Sequence, residues 1–379
     1  MITLKGITWD HPRGYDPLVA ASKVYEEEFG VSVQWEKRSL SNFGDQSLVA
    51  LAKQFDLLII DHPHAGVAND TGCLLPLDDL LTYEQLQQLE QQSAGPSFLS
   101  YYYQQKQWAL PVDAAMQCAA SRSDLMGEHT IPTIWEEVFE LAESLKSKNL
   151  QVGMALCATD CLCTFLSLTA QFGSSVRENN QLLVTTEVGL QALQLMRTMR
   201  DNFHIKSLDW NPIQLYDHMA TEDDIAYSPL AFCYTNYSRE AFRKNKLSYH
   251  NAPWTKNVVL GGAGISVSAN SSHPKEAAEY AAWLCSAAIQ NSVYIKEQGQ
   301  PGNIVAWKND DANTLTNNFF VNTMDTLTYA YVRPRYVGWP AFQQWLGETL
   351  HDYLTKDIKP ETVLEQLQEA YDLSYKNNF

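Results

Sequence analysis

The sequence predicts an α/β protein with two lobes that are joined by crossover strands and have a ligand cleft between them. Three observations support this prediction. The first sixty residues alternate strands with helices, residues 55–60 form the continuous apolar run FDLLII, and residues 107–125 read as a strand that Pro111 interrupts before a new helix begins. Continuous apolar strands are typical of parallel sheets buried on both faces. We interpret the interruption at Pro111 as the point where the chain leaves one lobe and enters the other.

Composition places the chain among ordinary globular proteins. Its 379 residues are enough for two or three domains, and 45% of them are hydrophobic while 19% are charged. The 44 acidic and 27 basic residues give a net charge of −17, which argues against binding to a nucleic-acid backbone. No apolar run is long enough for a membrane span. The sequence therefore predicts neither a nucleic-acid partner nor membrane insertion.

The N-terminus and the cysteines bear on the compartment. No apolar signal-peptide segment follows Met1. We expect a cytoplasmic protein if the chain is complete as given, and an extracytoplasmic one if Met1 replaces a removed export signal. The seven cysteines include Cys157, Cys161 and Cys163, whose spacing is not that of zinc knuckles. Buried reduced thiols are the favoured interpretation, and we predict neither a metal site nor a cofactor.

The first third of the chain is predicted to run strand, helix, strand, helix, strand. Asp16 is the expected N-cap of the first helix, with Pro17 at its first position and Gly30 at its end. Short loops between such elements favour a parallel sheet. Ligands bind beyond the carboxyl ends of the strands in such sheets, so the loops at 10–15 and 61–64 are predicted to contact a ligand. The predicted elements are the strands 2–9, 31–35 and 55–60 and the helices 16–29 and 41–54.

Beyond Pro111, the strand is expected to resume at Gln117. Thr133 is predicted to cap a helix, with Glu136 completing a capping box. Pro229 is expected to break a later strand. The other predicted elements are strands 152–156, 225–234 and 258–268 and helices 160–171, 186–202, 212–219, 274–298, 340–354 and 360–375.

Five passages, in order, resemble the solute-binding proteins of ABC importers, specifically the large family that includes maltose-binding protein. They are residues 11–33, 55–63, 108–145, 261–284 and 322–350. The most recognisable is WALPVDAAMQCAASRSDL, followed by PTIWEEVFELAESL. Each motif alone is weak, but five in the right order at the right intervals are a strong signal.

The resemblance implies a type II periplasmic-binding-protein fold. An N-terminal lobe of residues 1–111 plus 260–312 and a C-terminal lobe of residues 112–259 plus 313–379 would be joined by crossovers near 110–113, 257–260 and 310–320. Hinge motion about these crossovers would close the lobes. The implied protein is a monomeric binding protein and not an enzyme, with a small-molecule ligand and an ABC permease as partners.

Candidate ligand contacts lie at strand ends, near the crossovers and in aromatic stretches. Arginine suits carboxylates or paired hydroxyls, and aromatic faces stack on sugar rings. Purely structural roles remain open, namely capping for Asp61 and Asp160 and a hinge hydrogen bond for Asp113. The candidates are Trp9, Asp10, His11, Arg13, Asp61, His62, Asp113, Asp160, Tyr227, Phe232, Tyr234, Gly262, Tyr331, Arg333, Arg335 and Trp339.

A carbohydrate is the default ligand. A small organic anion is the alternative, because basic residues are frequent among the candidates, notably in the loop WDHPRG. A third possibility is an intracellular ligand-sensing module that acts through a protein partner. Catalysis is disfavoured because the sequence has no GxSxG or HExxH motif and no paired nucleophile and base. No catalytic residue is therefore predicted.

Overall fold

The computed structural model describes residues 2–40, 46–178 and 180–376. The chain divides into two compact units, each assembled from three separate stretches. Unit 1 comprises Met1–Ala115, Gly261–Asn313 and Arg335–Val337. Unit 2 comprises Met116–Leu260, Thr314–Pro334 and Gly338–Phe379. In the part of the chain that is described, no helix combines the length and apolar character of a membrane span.

Unit 1 is built on a mixed sheet. Ile2–Trp9 pairs in parallel with Val31–Arg38 on one side and with Leu57–Ile60 on the other, and Leu260–Ser268 adds antiparallel to Leu57–Ile60. Leu57 and Ile59 belong to one hydrophobic cluster while Leu58 and Ile60 belong to another. The apolar run is thus buried on both faces of the sheet, as its sequence predicts.

Helices and short strands complete unit 1. The strand pair Tyr102–Tyr103 and Lys106–Gln107 is antiparallel, and Leu74–Leu75 pairs with Leu260–Ser268. The helical segments are Pro12–Phe29, Leu48–Ala52, His62–His64, Ala65–Thr71, Leu77–Asp79, Tyr83–Gln91, Ser97–Ser100, Pro274–Leu284, Ala287–Ile289, the π-helical turn Gln290–Tyr294, Ile304–Trp307 and Asp310–Leu315.

Unit 2 is built on the strands Leu110–Ser121, Ile225–Phe232, Ser248–His250 and Gln151–Val152. Leu110–Ser121 enters from unit 1 and pairs antiparallel with Ile225–Phe232 and Ser248–His250, while Gln151–Val152 pairs in parallel with Ile225–Phe232. The helical segments are Ser123–Met126, Trp135–Lys146, Ala158–Gln171, Thr186–Asn202, Ile205–Leu208, Pro212–Thr221, Thr235–Ser238, Phe319–Thr328, Trp339–Thr355 and Pro360–Ser374.

Neither proline that was expected to interrupt a strand does so. Pro111 is the second residue of the continuous strand Leu110–Ser121, close to the strand end where a missing donor is tolerated. Pro229 lies within Ile225–Phe232, where the register with the neighbouring strand shifts between Cys118 and Ala120. Such a bulge leaves a residue without its ladder partner, so it accommodates a proline without a lost hydrogen bond.

Two predicted helix starts are wrong by a few residues. The first helix begins at Pro12 and not at Pro17, because the His11 imidazole acts as N-cap by accepting a hydrogen bond from the Arg13 amide. The helix predicted from Thr133 begins at Trp135, and Glu137, not Glu136, accepts hydrogen bonds from the amide and hydroxyl of Thr133. Unusual cap residues account for both errors.

Three other elements differ from prediction. The single helix expected at 274–298 is divided, and the buried Gln290 side chain donates to the carbonyls of Leu284 and Val112 where the helix would have continued. The strand expected at 152–156 is limited to Gln151–Val152. Of the helix predicted at 41–54, residues 41–45 lie outside the described residues and the helix found is Leu48–Ala52.

Candidate functional site

In unit 1, the loop after the first strand is held by short local contacts. Trp9 is buried against Gly14, where a Cβ atom would lie 2.3 Å from the indole ring. His11 is buried as the helix cap. Asp10 is exposed, and its carboxylate lies 3.0 Å from the Lys37 ammonium. The loop is therefore preorganised, and Asp10 is its exposed charged group.

Arg13 and Asp113 bind each other. Arg13 Nε donates to Asp113 Oδ2 at 2.7 Å and Arg13 Nη2 donates to Asp113 Oδ1 at 2.5 Å, and both side chains are buried. This bidentate geometry is the strongest that an arginine and a carboxylate form. Gly262, in the Gly-rich strand, packs against the backbone of Asp113. Its φ is +101°, and a Cβ atom there would lie 2.4 Å from the Asp113 carbonyl oxygen. Three predicted residues are thus brought together.

Asp61 and His62 form a turn at the end of the strand Leu57–Ile60. The Asp61 carboxylate accepts a hydrogen bond from the His62 amide at 2.8 Å and lies 3.2 Å from His62 Nδ1. His62 is fully buried, whereas 18% of the Asp61 side chain is exposed. Asp61 therefore has the capping role that was left open as its structural alternative.

Arg335 belongs to the short stretch of the C-terminal region that clusters with unit 1. Its Nη1 donates to the backbone carbonyls of Leu99 and Tyr102, both at 2.8 Å, and of Ser100 at 3.2 Å. The backbone of this stretch lies directly on Gly66, where a Cβ would be 1.7 Å from the Arg335 carbonyl oxygen. The guanidinium thus closes the end of the helix Ser97–Ser100.

In unit 2, Asp160 is a buried carboxyl group with a neutral partner. It lies in the first turn of the helix Ala158–Gln171, and the Cys157 thiol donates to its Oδ2 at 3.1 Å. Burial raises the pKa of Asp160 to about 7, although the thiol hydrogen bond lowers it. Burial also raises the pKa of the Cys157 thiol. Near neutral pH the group is therefore poised between the neutral and ionised forms.

The predicted aromatic residues of unit 2 differ in exposure. Tyr227 is fully buried on the strand Ile225–Phe232, and its hydroxyl has no hydrogen-bond partner among the described residues. Phe232 is half-buried at the end of that strand. Tyr234 is buried and directly precedes the turn Thr235–Ser238. Phe232 and Tyr234 are thus placed where the strand passes into a loop, while Tyr227 lies in the core.

Tyr331, Arg333 and Trp339 are also placed in unit 2. The Tyr331 amide donates to the Val258 carbonyl at 2.7 Å, and the Tyr331 hydroxyl donates to the Val176 carbonyl. Arg333 is buried and its Nη1 lies 3.3 Å from Gln343 Oε1. Trp339 is fully buried at the start of its helix. The three are therefore tied into the framework of unit 2.

Comparison with known proteins decides the family. The family described as bacterial extracellular solute-binding protein matches residues 20–313, which is more than half of the chain. The chain belongs to the bacterial extracellular solute-binding proteins. The resemblance predicted from the sequence motifs is thereby confirmed, and the family consists of binding proteins and not enzymes. A search by sequence among curated proteins finds no match to this solute-binding protein.

Solved structures confirm the predicted fold class of the solute-binding protein. A maltose-bound protein of T. maritima, MalE3, has a TM-score of 0.82 at 16% identity, and the match covers 98% of this chain and 100% of that one. An ABC-transporter solute-binding protein of Agrobacterium radiobacter K84 in complex with ribitol has a TM-score of 0.84 at 19% identity, covering 98% of each chain. Another, from Thermotoga lettingae TMO bound with alpha-D-tagatose, has a TM-score of 0.84 at 16% identity, covering 99% and 100%.

Sequence reasoning missed several polar residues of the solute-binding protein that the structure buries near predicted ones. Gln300 Nε2 donates to the Ala114 carbonyl at 2.7 Å, beside Asp113. In unit 2, Ser167 donates to Gln117 Oε1 at 2.6 Å, while Gln117 Nε2 has no hydrogen-bond partner in the described part of the chain. Glutamine is usually exposed, so sequence alone offered no sign. Had the strand been predicted to run without interruption from Leu110 to Ser121, as it does, the burial of Gln117 within it could have been predicted too.

Proposed function

We propose that the solute-binding protein holds one small, uncharged polyhydroxylated solute, a carbohydrate or a polyol, and delivers it to an ABC importer. The two lobes predicted from the sequence would close over the solute by hinge motion. The family membership supports the class of function. The sugars and the polyol named for the structural neighbours support the class of solute.

The choice of a neutral solute over an anion rests on how the predicted cationic groups are used. The Arg13 guanidinium is neutralised by Asp113, and Arg335 donates to three backbone carbonyls. His62 lies against the Asp61 carboxylate. A guanidinium that already has a carboxylate partner would have to lose that partner to bind an anionic solute, at considerable cost when both are buried. This observation favours hydroxyl groups over carboxylates as the ligand chemistry.

The remaining predicted contacts suit hydroxyl groups. Asp61 retains exposed carboxylate surface, and ionised carboxylates accept hydrogen bonds from sugar hydroxyls. Phe232 and Tyr234 supply aromatic faces at the end of a strand, where C–H groups of a sugar ring could stack. Affinity would come from polar groups that are satisfied only when water is excluded.

Titration calorimetry of the full chain with two panels tests the solute class. One panel holds pentoses, hexoses, maltose, ribitol and maltodextrins, and the other holds mono- and dicarboxylates of matched size. We expect binding in the first panel only. Binding confined to the carboxylates would overturn the proposal.

The same titration on single-residue variants tests which predicted residues contact the solute. Asp61→Asn and Tyr234→Ala should weaken binding of the best solute, each by about 1–3 kcal/mol or about 10–100-fold, since each removes one well-placed contact. Tyr83→Ala is the matched control, because Tyr83 is 72% exposed at a helix start and belongs to no predicted contact. Equal affinity in all three variants would exclude these residues as contacts. A decrease in the radius of gyration on solute addition, measured by small-angle scattering, would support closure.

A further inference from the structure

Two histidines and an aspartate of unit 2, none of which is a predicted ligand contact, lie together. They are His204, His218 and Asp224, and their potential ligand atoms all lie within 4.8 Å of one another. His218 Nε2 is 2.8 Å from Asp224 Oδ1, and His204 Nε2 is 3.4 Å from Asp224 Oδ2. The two imidazoles therefore face the two oxygens of one carboxylate.

The backbones that carry this cluster are fixed to one strand. The His204 amide donates to the Val152 carbonyl at 2.8 Å, and the Gln151 amide donates to the Asp224 carbonyl at 2.8 Å. His218 projects from the helix Pro212–Thr221, which ends just before Asp224. Ligand groups held by strands and helices keep their spacing better than groups on loops. His218 is thus held by its helix, while His204 and Asp224 lie directly before regular elements and their backbones bond to the strand Gln151–Val152.

Trp210 orients both imidazole rings. The His204 ring is stacked on the Trp210 ring with 5.0 Å between centroids and 5° between planes. The His218 ring lies 4.7 Å from the same indole at 40°. Aromatic packing of this kind restricts rotation of the imidazoles independently of their contact with Asp224. The nitrogen atoms are therefore aimed at the carboxylate by two separate interactions.

We infer that His204, His218 and Asp224 form a binding site for a divalent transition-metal ion, with Zn²⁺ as the ion that this ligand set fits best. Zinc is bound by imidazole nitrogen and carboxylate oxygen at about 2.0–2.2 Å in tetrahedral geometry, which places neighbouring ligand atoms about 3.3–3.5 Å apart. The 3.4 Å and 2.8 Å separations run to the two different oxygens of Asp224, and the ligand atoms, which all lie within 4.8 Å of one another, must adjust to this spacing when an ion binds. Two imidazoles and one carboxylate leave the fourth position to water.

Access and cost set the expected affinity. The exposed fractions of the side chains are 39% for Asp224, 17% for His218 and 10% for His204, so an ion reaches the site from solvent. Coordination through His204 Nε2 places the imidazole proton on Nδ1, which now accepts from the Lys206 amide at 3.3 Å. Zinc binding therefore breaks this long hydrogen bond. The nearby positive charge of the Lys206 ammonium also repels the ion. We therefore expect micromolar and not nanomolar binding.

Zinc titration of the metal-free full chain by calorimetry tests this inference. One zinc per chain should bind, and its presence should raise the melting temperature because it binds only the folded state. His218→Gln should weaken zinc binding by at least about 100-fold, because even outer-shell partners are worth about 10–100-fold. His129→Gln is the matched control, a half-buried histidine outside the cluster, and should bind zinc as the unchanged protein does.

Two readouts keep the test independent of variant folding and of the cysteines. In the unchanged protein, zinc should shift the imidazole C–H proton resonances of two of the nine histidines. Cobalt(II) in place of zinc should give a tetrahedral visible spectrum without a thiolate charge-transfer band. No zinc binding, unchanged binding in His218→Gln, or a thiolate band would each overturn the inference. Zinc binding does not depend on the solute, so its failure would leave the proposed transport function untouched.

Discussion

The two buried aspartates of the described chain are stabilised in opposite ways. In unit 1, Asp113 is paired with the Arg13 guanidinium, a charge of opposite sign. In unit 2, Asp160 receives a hydrogen bond only from the neutral Cys157 thiol, and burial raises its pKa to about 7. Burial raises the pKa of both carboxyl groups, but at Asp113 the charge of Arg13 and its hydrogen bonds oppose that rise, whereas at Asp160 only the hydrogen bond of a neutral thiol does. The difference predicts that unit 2 is the more pH-sensitive.

Breaking the pair in unit 1 should give the largest loss of stability. Asp113→Ala leaves the Arg13 guanidinium buried without its carboxylate, which should lower the free energy of unfolding by about 3–5 kcal/mol. The double variant Arg13→Met/Asp113→Leu replaces both charges by apolar groups and should cost much less. Urea unfolding followed by circular dichroism measures both. Equal losses in the two variants would show that packing and not charge pairing stabilises this position.

Removing the charge of Asp160 should have the reverse effect. Between pH 3.8 and about 7 the folded state holds a proton that the unfolded state has lost, so the stability of the unchanged protein falls as pH rises through this window. Asp160→Asn removes that penalty. The variant should be more stable above pH 7 by up to about 4 kcal/mol, from about 3 pKa units at about 1.4 kcal/mol each, and equally stable near pH 4. A stability difference that is constant with pH would contradict this.

Replacing His250, also in unit 2, should change stability by a smaller amount than replacing Asp160. The stability contribution of His250 also varies with pH in the opposite direction. Burial lowers the pKa of His250 to about 4, and its Nε2 lies 2.9 Å from the Ser121 hydroxyl. Between pH 6.5 and about 4 only the unfolded state takes up the proton, so stability is lost as pH falls through this window. His250→Gln should remove up to about 3 kcal/mol of that loss. Thermal unfolding from pH 4 to 7 checks it, and an unchanged acid dependence would refute it.

Removing a capping box should give the smallest loss of stability. Because each unit has one, the two losses can be compared directly between the units. Unit 1 has one at Thr82 and unit 2 has one at Asn211. Thr82→Ala and Asn211→Ala should each cost about 1 kcal/mol at any pH between 5 and 8, because neither motif involves a charged partner. Chemical denaturation at two pH values measures this. A pH-dependent cost at Asn211 alone would show that pH sensitivity in unit 2 extends beyond its buried ionisable groups.

Much of the fold could be predicted because it depends on patterns that are local in sequence. The run Phe55–Ile60 predicted a strand buried on both faces, and the helix predicted at 186–202 has those bounds in the structure. Apart from the two helix starts, where the cap residues are unusual, the errors come from contacts distant in sequence. The bulge that accommodates Pro229 depends on the neighbouring strand, and the interruption near Gln290 depends on the carbonyl of Val112. No local pattern encodes such contacts.

The candidate site was less predictable for the same reason. Residue type and position selected Arg13 and Asp113 as candidate ligand contacts, but they could not reveal that the two bind each other across 100 residues of sequence. His204, His218 and Asp224 were not selected at all, since their spacing matches no familiar motif. The edge strand Gln151–Val152 and the ring of Trp210 bring them together. Which predicted residues contact a solute stays a prediction.

The position of Leu260–Ser268 beside Leu57–Ile60 has a consequence for how the protein is made. During translation, the apolar strand at 57–60 waits for its antiparallel neighbour until about 208 further residues have been added, which takes roughly 10–40 s at bacterial elongation rates. Until then it has an open, apolar edge that favours aggregation. The stretch at Arg335–Val337 arrives later still. A nascent chain of this protein should therefore depend on chaperones for most of its synthesis, and an isolated N-terminal fragment should be insoluble.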